Sequence, residues 1–484
     1  MPDIIPPITE PTLPPAPLVS PPSVEPVANM PVGPAVLPPS RKGIPKTLLL
    51  IGMAIVVLVL IGLVIAKVLG SGVISKQTTL TWWGLWEDSA VISPIVADYE
   101  KANPKVKINY VKQAQQDYRE RLTNVLAKGT GPDIFRFHNS WVPMFKNELD
   151  YVPASVMTAA DFAQTFYPVA SSDLTSGTGL VGIPLEYDGL GLYVNEDLFA
   201  KEGKSVPTTW DDLRITACQL TKVENDVITQ SGVALGTTGN VDHWQEILAL
   251  MMLQNGANLT KPTGQLAADA IKFFTVFSTD AACENAKQKV WDATLPSSTI
   301  AFAAGKVAMY LAPSWRTFEI KQQNPDLKFK VVPVPQLPKS SAQEPDVTYA
   351  TYWVEGVWSR SKNRDEAWKF LKYLSQKDTL EILYQNTAKV RLFGEPYPRV
   401  DMAPLISQDP VLGGIISLAS DAQSWYLASR TFDGATGINT LMGKYFEDGI
   451  NAINGNEPPE RVLETVSQGV NQVLSQYGLV STQR

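Results

Sequence analysis

Tryptophan side chains next to carboxylates and amides are the groups of this sequence most suited to chemistry. The 484 residues include 12 Trp. Several of these stand beside Glu, Asn or Arg where strand-like segments end. An indole ring stacks on the C–H face of a sugar ring, and carboxylates or amides bind its hydroxyls. This combination indicates a pocket for a hydroxyl-rich small molecule.

Motifs for covalent or metal chemistry are missing from the sequence. It has no G-x-S-x-G, P-loop, C-x-x-C or H-E-x-x-H pattern, and it contains two cysteines and two histidines. Glu186 and Asp188 could act as a glycosidase pair, but 48 acidic residues make such pairs common. We therefore predict that the chain is not an enzyme and needs no cofactor or metal. The net charge of -7 also argues against a nucleic-acid partner.

Strand and helix patterns alternate from Thr78 onward and place these side chains at strand ends. Alternating apolar residues predict strands near residues 80–83, 106–110 and 131–135, with amphipathic helices between them. This order predicts a mainly parallel sheet covered by helices on both faces, which binds ligands at the carboxyl ends of its strands. Trp86 and Glu87 follow the first of these strands.

Other candidates follow later strands or open helices. Phe137 and Asn139 follow the third strand, and His138 between them fits a pocket or an ordinary loop equally well. Trp353 lies within residues 349–358, which are predicted to return to the first sheet. Asn240 and Trp244 open a later helix, and Trp425 stands alone in a polar stretch; either of these tryptophans could instead pack in a core.

Three blocks in order resemble a known family. They are G-I-P-L at residues 182–185, Y-V-N-E-D-L-F at 193–199 and P-T-T-W-D-D-L at 207–213, in which Asn195 and Thr209 are predicted N-caps. Their order closely resembles the extracellular solute-binding proteins of ABC importers, in the sugar-binding, maltose-binding-protein-like branch. The resemblance implies a two-lobed α/β fold of the type II periplasmic-binding-protein kind, with three crossings between the lobes. It implies lobe 1 at residues 78–188 and 347–395, and lobe 2 at 189–338 and 396–480.

The resemblance also assigns site residues. Glu186 matches a carboxylate that accepts sugar hydroxyls, although a cap or an inter-lobe salt bridge would explain it equally. Trp315 in A-P-S-W matches a stacking tryptophan, Arg391 partly matches a conserved turn, and Phe137 matches a stacking aromatic. The full predicted ligand-binding set is Trp86, Glu87, Phe137, Asn139, Glu186, Asn240, Trp244, Trp315, Trp353, Arg391 and Trp425.

The first 77 residues predict a membrane anchor. Residues 1–45 are Pro-rich and are expected to be disordered. Residues 46–67 hold an apolar run that would span about 30 Å as a helix, and residues 68–77 form a linker. Basic residues before the run outnumber those after it, which predicts a single pass through the cell membrane with a cytoplasmic N-terminus and an extracellular binding domain.

The predicted function is capture of a sugar or oligosaccharide by cleft closure and its delivery to an ABC import permease. The protein is expected to act as a monomer. Two alternatives with the same fold are a sensory or adhesive ectodomain and a binder of a non-sugar solute. Cys218 and Cys283 could form a disulfide in an extracellular domain or remain two core thiols.

Overall fold

The computed structural model describes residues 53, 55–61, 77–283, 286–341 and 343–480. The predicted tail and most of the predicted linker lie outside these residues. Of the predicted membrane segment, only residues 53 and 55–61 are described, and they are helical and exposed. Within the described part of the chain, no helix combines the length and apolar character needed to cross a bilayer.

Two five-stranded sheets form the framework of residues 77–480. Their strand orders are β2-β1-β3-β13-β6 and β11-β7-β10-β9-β8. The strands are β1 (Thr78–Gly84), β2 (Val106–Lys112), β3 (Ile134–His138), β4 (Thr175–Ser176), β5 (Gly179–Leu180), β6 (Ile183–Pro184), β7 (Gly191–Asn195), β8 (Lys222–Glu224), β9 (Val227–Val233), β10 (Val307–Ala312), β11 (Phe329–Val332), β12 (Thr348–Tyr349), β13 (Trp353–Val357) and β14 (Ala422–Gln423).

Helices cover both sheets. They are α1 (Ser89–Ala102), α2 (Tyr118–Ala127), α3 (Val142–Phe145), α4 (Ala159–Thr165), α5 (Pro168–Leu174), α6 (Glu196–Lys201), α7 (Trp210–Leu220), α8 (Trp244–Gln254), α9 (Gln265–Val276), α10 (Ser298–Ala303), α11 (Arg316–Gln323), α12 (Arg364–Leu374), α13 (Lys377–Ala388), α14 (Leu412–Ile416), α15 (Ile438–Asn454) and α16 (Pro459–Gln476). Short 3₁₀ turns cover Asn139–Trp141, Val400–Leu405 and Ala419–Asp421.

The first sheet has the parallel order that the sequence predicts. β1 lies between β2 and β3 and is parallel to both. β13 then returns antiparallel beside β3, and β6 pairs with its other edge. All five residues of β3 are buried, as expected for a central strand covered on both faces.

The second sheet centres on β10, whose six residues are all buried. β10 is parallel to β9 and antiparallel to β7. The predicted caps of the two helices that follow β7 are confirmed, since Asn195 accepts from the Leu198 N–H and Thr209 accepts from the Asp212 N–H. Each cap satisfies an N–H group that has no partner inside its helix.

The chain passes three times between the two sheets. The first passage joins β6 to β7, and the second joins β11 to β13. The third passage follows α13, which contacts α1 beside the first sheet. It ends at the second sheet, where the Val331 N–H of β11 donates to the Pro410 carbonyl. A fold with three linking segments lets two lobes change their relative orientation by small backbone rotations near the passages.

A disulfide between Cys218 and Cys283 links α7 to the segment after α9. This settles the alternative that the sequence leaves open. Both cysteines lie beside the second sheet. The bond therefore restricts one lobe without joining the two.

Candidate functional site

A cavity of about 300 Å³ lies between the two sheets. It is lined by Trp86, Gln115, His138, Glu186, Tyr187, Asp188, His243, Glu246, Pro313, Trp315, Phe318, Glu319, Thr351, Tyr352, Trp353, Arg391, Glu395, Ser429, Arg430 and Phe432. We call the side formed by His138, Glu186 and Trp353 the first wall, and the side formed by His243, Glu246 and Trp315 the second wall.

Trp353 of the first wall is held by the edges of other rings. It is the first residue of β13, and its ring lies 5.4 Å from that of Trp86, 5.2 Å from His138 and 5.4 Å from Trp141, all nearly perpendicular. Edge-to-face contacts of this kind favour one ring orientation. The packing therefore presents the indole to the cavity in a fixed position.

Glu186 follows β6 and is nearly buried at 7% exposure. Its Oε1 accepts one hydrogen bond, 3.3 Å long, from the Trp353 N–H. No described residue donates to Oε2 or forms an ion pair with this carboxylate. Burial, followed by repulsion from Glu395, raises the pKa of Glu186 well above its ordinary value.

A buried arginine lies behind the first wall. Arg136 of β3 pairs with Glu87 (Nη1 to Oε2, 2.8 Å) and with Glu355 (Nη2 to Oε1, 2.7 Å). Glu355 stands directly across from Arg136 in the β3–β13 register. A buried guanidinium needs such partners, because leaving a charge uncompensated in the interior is costly.

His138 completes the first wall as a neutral side chain. Burial lowers its pKa to about 3. Its Nδ1 lies 2.7 Å from Ser140 Oγ and its Nε2 lies 3.0 Å from Thr351 Oγ1. It therefore serves as a hydrogen-bonding group at neutral pH and carries no charge.

Trp315 of the second wall is supported differently. The loop before it is fixed by the Tyr193 hydroxyl, which donates to the Pro313 carbonyl at 2.7 Å. The Arg316 guanidinium lies 4.4 Å from the centre of the Trp315 ring, and the His243 ring lies 5.4 Å away. A cation near the face of an indole is an attractive contact. A charged group, rather than ring edges alone, therefore orients this tryptophan.

His243 and Glu246 share the Ser429 hydroxyl as a hydrogen-bond partner. Arg316 Nε donates to His243 Nε2 at 2.8 Å, which leaves the proton of the neutral ring on Nδ1. Glu246 Oε1 accepts from the Ser429 N–H at 2.6 Å and from its hydroxyl at 2.9 Å. Burial alone would raise the pKa of Glu246, but the nearby His243 and the hydrogen bond from the Ser429 N–H together lower it.

Asp188 lies on the first passage and binds the second lobe. Its carboxylate accepts from the Ser314 N–H at 3.1 Å and from the Ser314 hydroxyl at 2.8 Å. Burial raises the pKa of Asp188 to about 7, although the bonds from Ser314 and Gly189 oppose this. The passage is thus tied to the loop that carries Trp315.

One group of carboxylates has the spacing of a cation site. Single oxygens of Glu87, Glu186 and Glu395 lie within 4.8 Å of one another. Arg136 already pairs with Glu87, and Arg391 Nη2 pairs with Glu395 at 2.6 Å. Only Glu186 has no cationic partner among the described residues.

The structure brings five of the eleven predicted ligand-binding residues to the cavity, and these are Trp86, Glu186, Trp315, Trp353 and Arg391. Glu87 lies behind the first wall, because Arg136 requires it there. Phe137 is fully buried beside Phe135. Successive strand residues point to opposite faces, so His138 faces the cavity and Phe137 does not.

Four further predicted residues lie away from the cavity. Asn139 donates to Asp173 at 2.9 Å and, like Trp425, lines a separate cavity of about 340 Å³. Asn240 donates to the carbonyls of Asp292 and Leu295 at 2.9 Å each, so it stabilises a loop. Trp244 is buried at the start of α8.

The sequence prediction missed two residues of the second wall, His243 and Glu246, and other residues that line the cavity, among them Glu395. No sequence motif marks these three residues. Arg430 and Phe432 belong to a segment with positive φ values of 56° and 53°, a conformation unusual for residues other than glycine. The polar run around Trp425 was the available signal, but it pointed to Trp425 rather than to the residues after it.

Comparisons with known proteins agree with this architecture. The family described as bacterial extracellular solute-binding protein matches residues 84–380. The multiple sugar-binding protein of Streptococcus mutans is 24% identical over 309 residues, which cover 62% of this chain and 71% of that protein.

Two solved structures have the same fold. The sugar-binding protein MalE of Xanthomonas citri has a TM-score of 0.66 at 18% identity and covers 84% of this chain and 100% of its own. The cyclic alpha-maltosyl-1,6-maltose binding protein of Arthrobacter globiformis has a TM-score of 0.63 at 18% identity, with 82% and 99% covered. The resemblance seen in the three sequence blocks is thus confirmed, and the chain belongs to the family of bacterial extracellular solute-binding proteins.

Proposed function

We propose that this protein captures a sugar or oligosaccharide in the cavity between its two lobes. The observation that carries the proposal is the pairing of Trp353 on the first wall with Trp315 on the second across one cavity of about 300 Å³. Glu186 and Arg391 add hydrogen-bonding groups to these aromatic faces. The names of the related sugar-binding proteins support the same ligand class.

Binding would act by closing the lobes, without a chemical step. A ligand that touches both walls binds the closed arrangement better than an open one, and only this difference in affinity shifts the population. The bonds between Asp188 and Ser314 couple the passage to the Trp315 loop. Rotation near the passage would therefore move Trp315 relative to Trp353.

The fate of the ligand and the location of the protein are part of the proposal. Family membership supports delivery of the solute to an ABC import permease and a location of the binding domain outside the cytoplasm. The apolar run at residues 46–67 supports anchoring by a single membrane-spanning helix. A solute that is released at the membrane surface would then pass directly into the permease.

A ligand screen tests the binding proposal. The full chain would be screened against mono- and oligosaccharides by thermal shift, and hits would be measured by titration calorimetry. We expect one-to-one binding and a loss of about 2 kcal/mol or more in Trp315→Ala, because a central aromatic anchor is removed.

Trp425→Ala is the matched control, since this half-buried tryptophan lies outside the cavity. Its affinity should stay close to that of the unchanged chain. Failure of every sugar to bind, or an equal loss in both variants, would contradict the proposal.

A further inference from the structure

The cavity carries more acidic than basic groups. Counted over the described residues, its lining holds five carboxylates and two guanidinium groups, which are Glu186, Asp188, Glu246, Glu319, Glu395, Arg391 and Arg430. Burial lowers the pKa of both lining histidines, so neither offsets the acids at neutral pH. A neutral sugar does not require such an excess.

Among these acidic groups, Glu186 has no cationic partner among the described residues. This side chain is more than nine-tenths buried, lines the cavity, and receives one backbone hydrogen bond at 3.3 Å. Glu246 on the opposite wall is also buried, yet Ser429 donates two bonds to it. The two glutamates therefore differ in whether the protein itself provides their partners.

The arginines near Glu186 already pair with other carboxylates. Arg136 bonds Glu87 and Glu355, and Arg391 bonds Glu395. Around Glu186 there are thus four carboxylates, Glu186 included, for two guanidinium groups. Without a further cation, burial and Glu395 favour the protonated form of Glu186, and a cation that enters the cavity would favour its ionised carboxylate.

A ligand ammonium group suits this position better than a metal ion. Two carboxylates of the group that could hold a metal already bond arginines, whose charge would repel a divalent ion. Aromatic rings, by contrast, attract an ammonium group, and Trp353 adjoins Glu186 through its backbone N–H.

We infer that the bound solute is an amino sugar, whose ammonium group donates hydrogen bonds to Glu186 beside the ring of Trp353. This inference rests on the proposed sugar-binding function and specifies its substrate class. The remaining sugar hydroxyls would bind Arg391.

The test compares sugars that differ only in amino groups that replace hydroxyls. The pairs are glucosamine with glucose, galactosamine with galactose, mannosamine with mannose, and the β-1,4-linked glucosamine disaccharide with cellobiose. Affinities would be measured by calorimetry at neutral pH on the full chain. We expect at least one amino sugar to bind about tenfold or more tightly than its partner, because a hydrogen bond to a charged group is involved.

Two variants locate the effect. Glu186→Gln should remove the preference for the amino member, whereas Glu464→Gln, an exposed site on α16, should keep it. The melting temperature of each variant without ligand checks folding. The comparison on the unchanged chain tests the inference even if Glu186→Gln does not fold.

Other outcomes would overturn the inference. Equal or tighter binding of the neutral members, or of a neutral oligosaccharide, would refute it and leave the proposed function intact. A rise in melting temperature with calcium chloride alone, removed by Glu186→Gln, would assign the position to a metal. Absence of binding across all pairs also refutes it, and the wider sugar screen then decides the proposed function separately.

Discussion

The two walls of the cavity use the same three residue types. His138 meets Trp353 at 5.2 Å and 80°, and His243 meets Trp315 at 5.4 Å and 74°. Each wall adds one buried glutamate, Glu186 or Glu246. The sequence has only two histidines, and the fold places one on each side of the same cavity.

The walls differ in how the glutamate is bound. Glu246 is 1% exposed and its pKa is lowered, whereas Glu186 is 7% exposed and its pKa is raised. Burial raises both pKa values, so the difference comes from the neighbours of each carboxylate: Glu395 repels Glu186, whereas His243 and Ser429 stabilise Glu246. Neighbouring groups, rather than depth, therefore set the direction of each pKa shift.

The arginines behind the walls differ as well. The partners of Arg136 are Glu87 and Glu355, both 1% exposed in their side chains. The partners of Arg316 are Asp242 and Glu319, with side chains 19% and 42% exposed. The first wall thus depends on a fully buried ion network, and the second on one that water reaches.

Replacement of Arg136 should have the largest effect on stability. Arg136→Met leaves Glu87 and Glu355 buried without a counter-charge and should cost about 3 to 5 kcal/mol of unfolding free energy. Arg316→Met should cost clearly less, because water solvates its partners. Urea unfolding of both variants measures the difference. Equal losses would show that the two networks are equivalent after all.

Truncation of the tryptophans should give the next largest effect. Trp353→Ala opens space among Trp86, His138 and Trp141, and should cost about 3 kcal/mol of unfolding free energy. Trp315→Ala should cost roughly half of that, since its ring is half-buried. Thermal and urea unfolding would report both. A larger loss for Trp315→Ala would contradict the assignment of Trp353 as the more rigidly packed ring.

The smallest effect is a pair of opposite pH dependences. Without ligand, the raised pKa lets Glu186 keep its proton to higher pH in the folded protein than in the unfolded chain, where the pKa is near 4.3. The stability of the unchanged chain relative to Glu186→Gln should therefore fall as pH rises from 4 to 7. Glu246 has a lowered pKa, so stability relative to Glu246→Gln should fall as pH drops below that value.

Each of these changes is expected to be on the order of 1 kcal/mol. They are measured by urea unfolding of the three proteins from about pH 3 to 7, because the Glu246 effect lies below its unfolded pKa. If the two differences in unfolding free energy changed with pH in the same direction, the claim that the two glutamates differ in the direction of their pKa shifts would be refuted.

Sequence patterns predicted the features that depend on local order. The three blocks gave the family, and strand ends located Trp86 and Trp353 beside the cavity. The caps Asn195 and Thr209 were also predicted, because their bonds span only a few residues.

Features that depend on distant partners could not be predicted. Glu87 pairs with Arg136, and Asn139 with Asp173, across separations that no local pattern reveals. Phe137 and His138 differ only in which face of β3 they occupy, and a shift of one residue reverses that choice. The limits of the two lobes and the membrane anchor stay predictions.

A crystal structure of the chain with its tightest sugar would show whether one ligand joins the two walls. We expect one ligand in contact with both Trp315 and Trp353, with Glu186 within hydrogen-bond distance. A sugar bound to one wall only, or in the separate cavity beside Trp425, would contradict it.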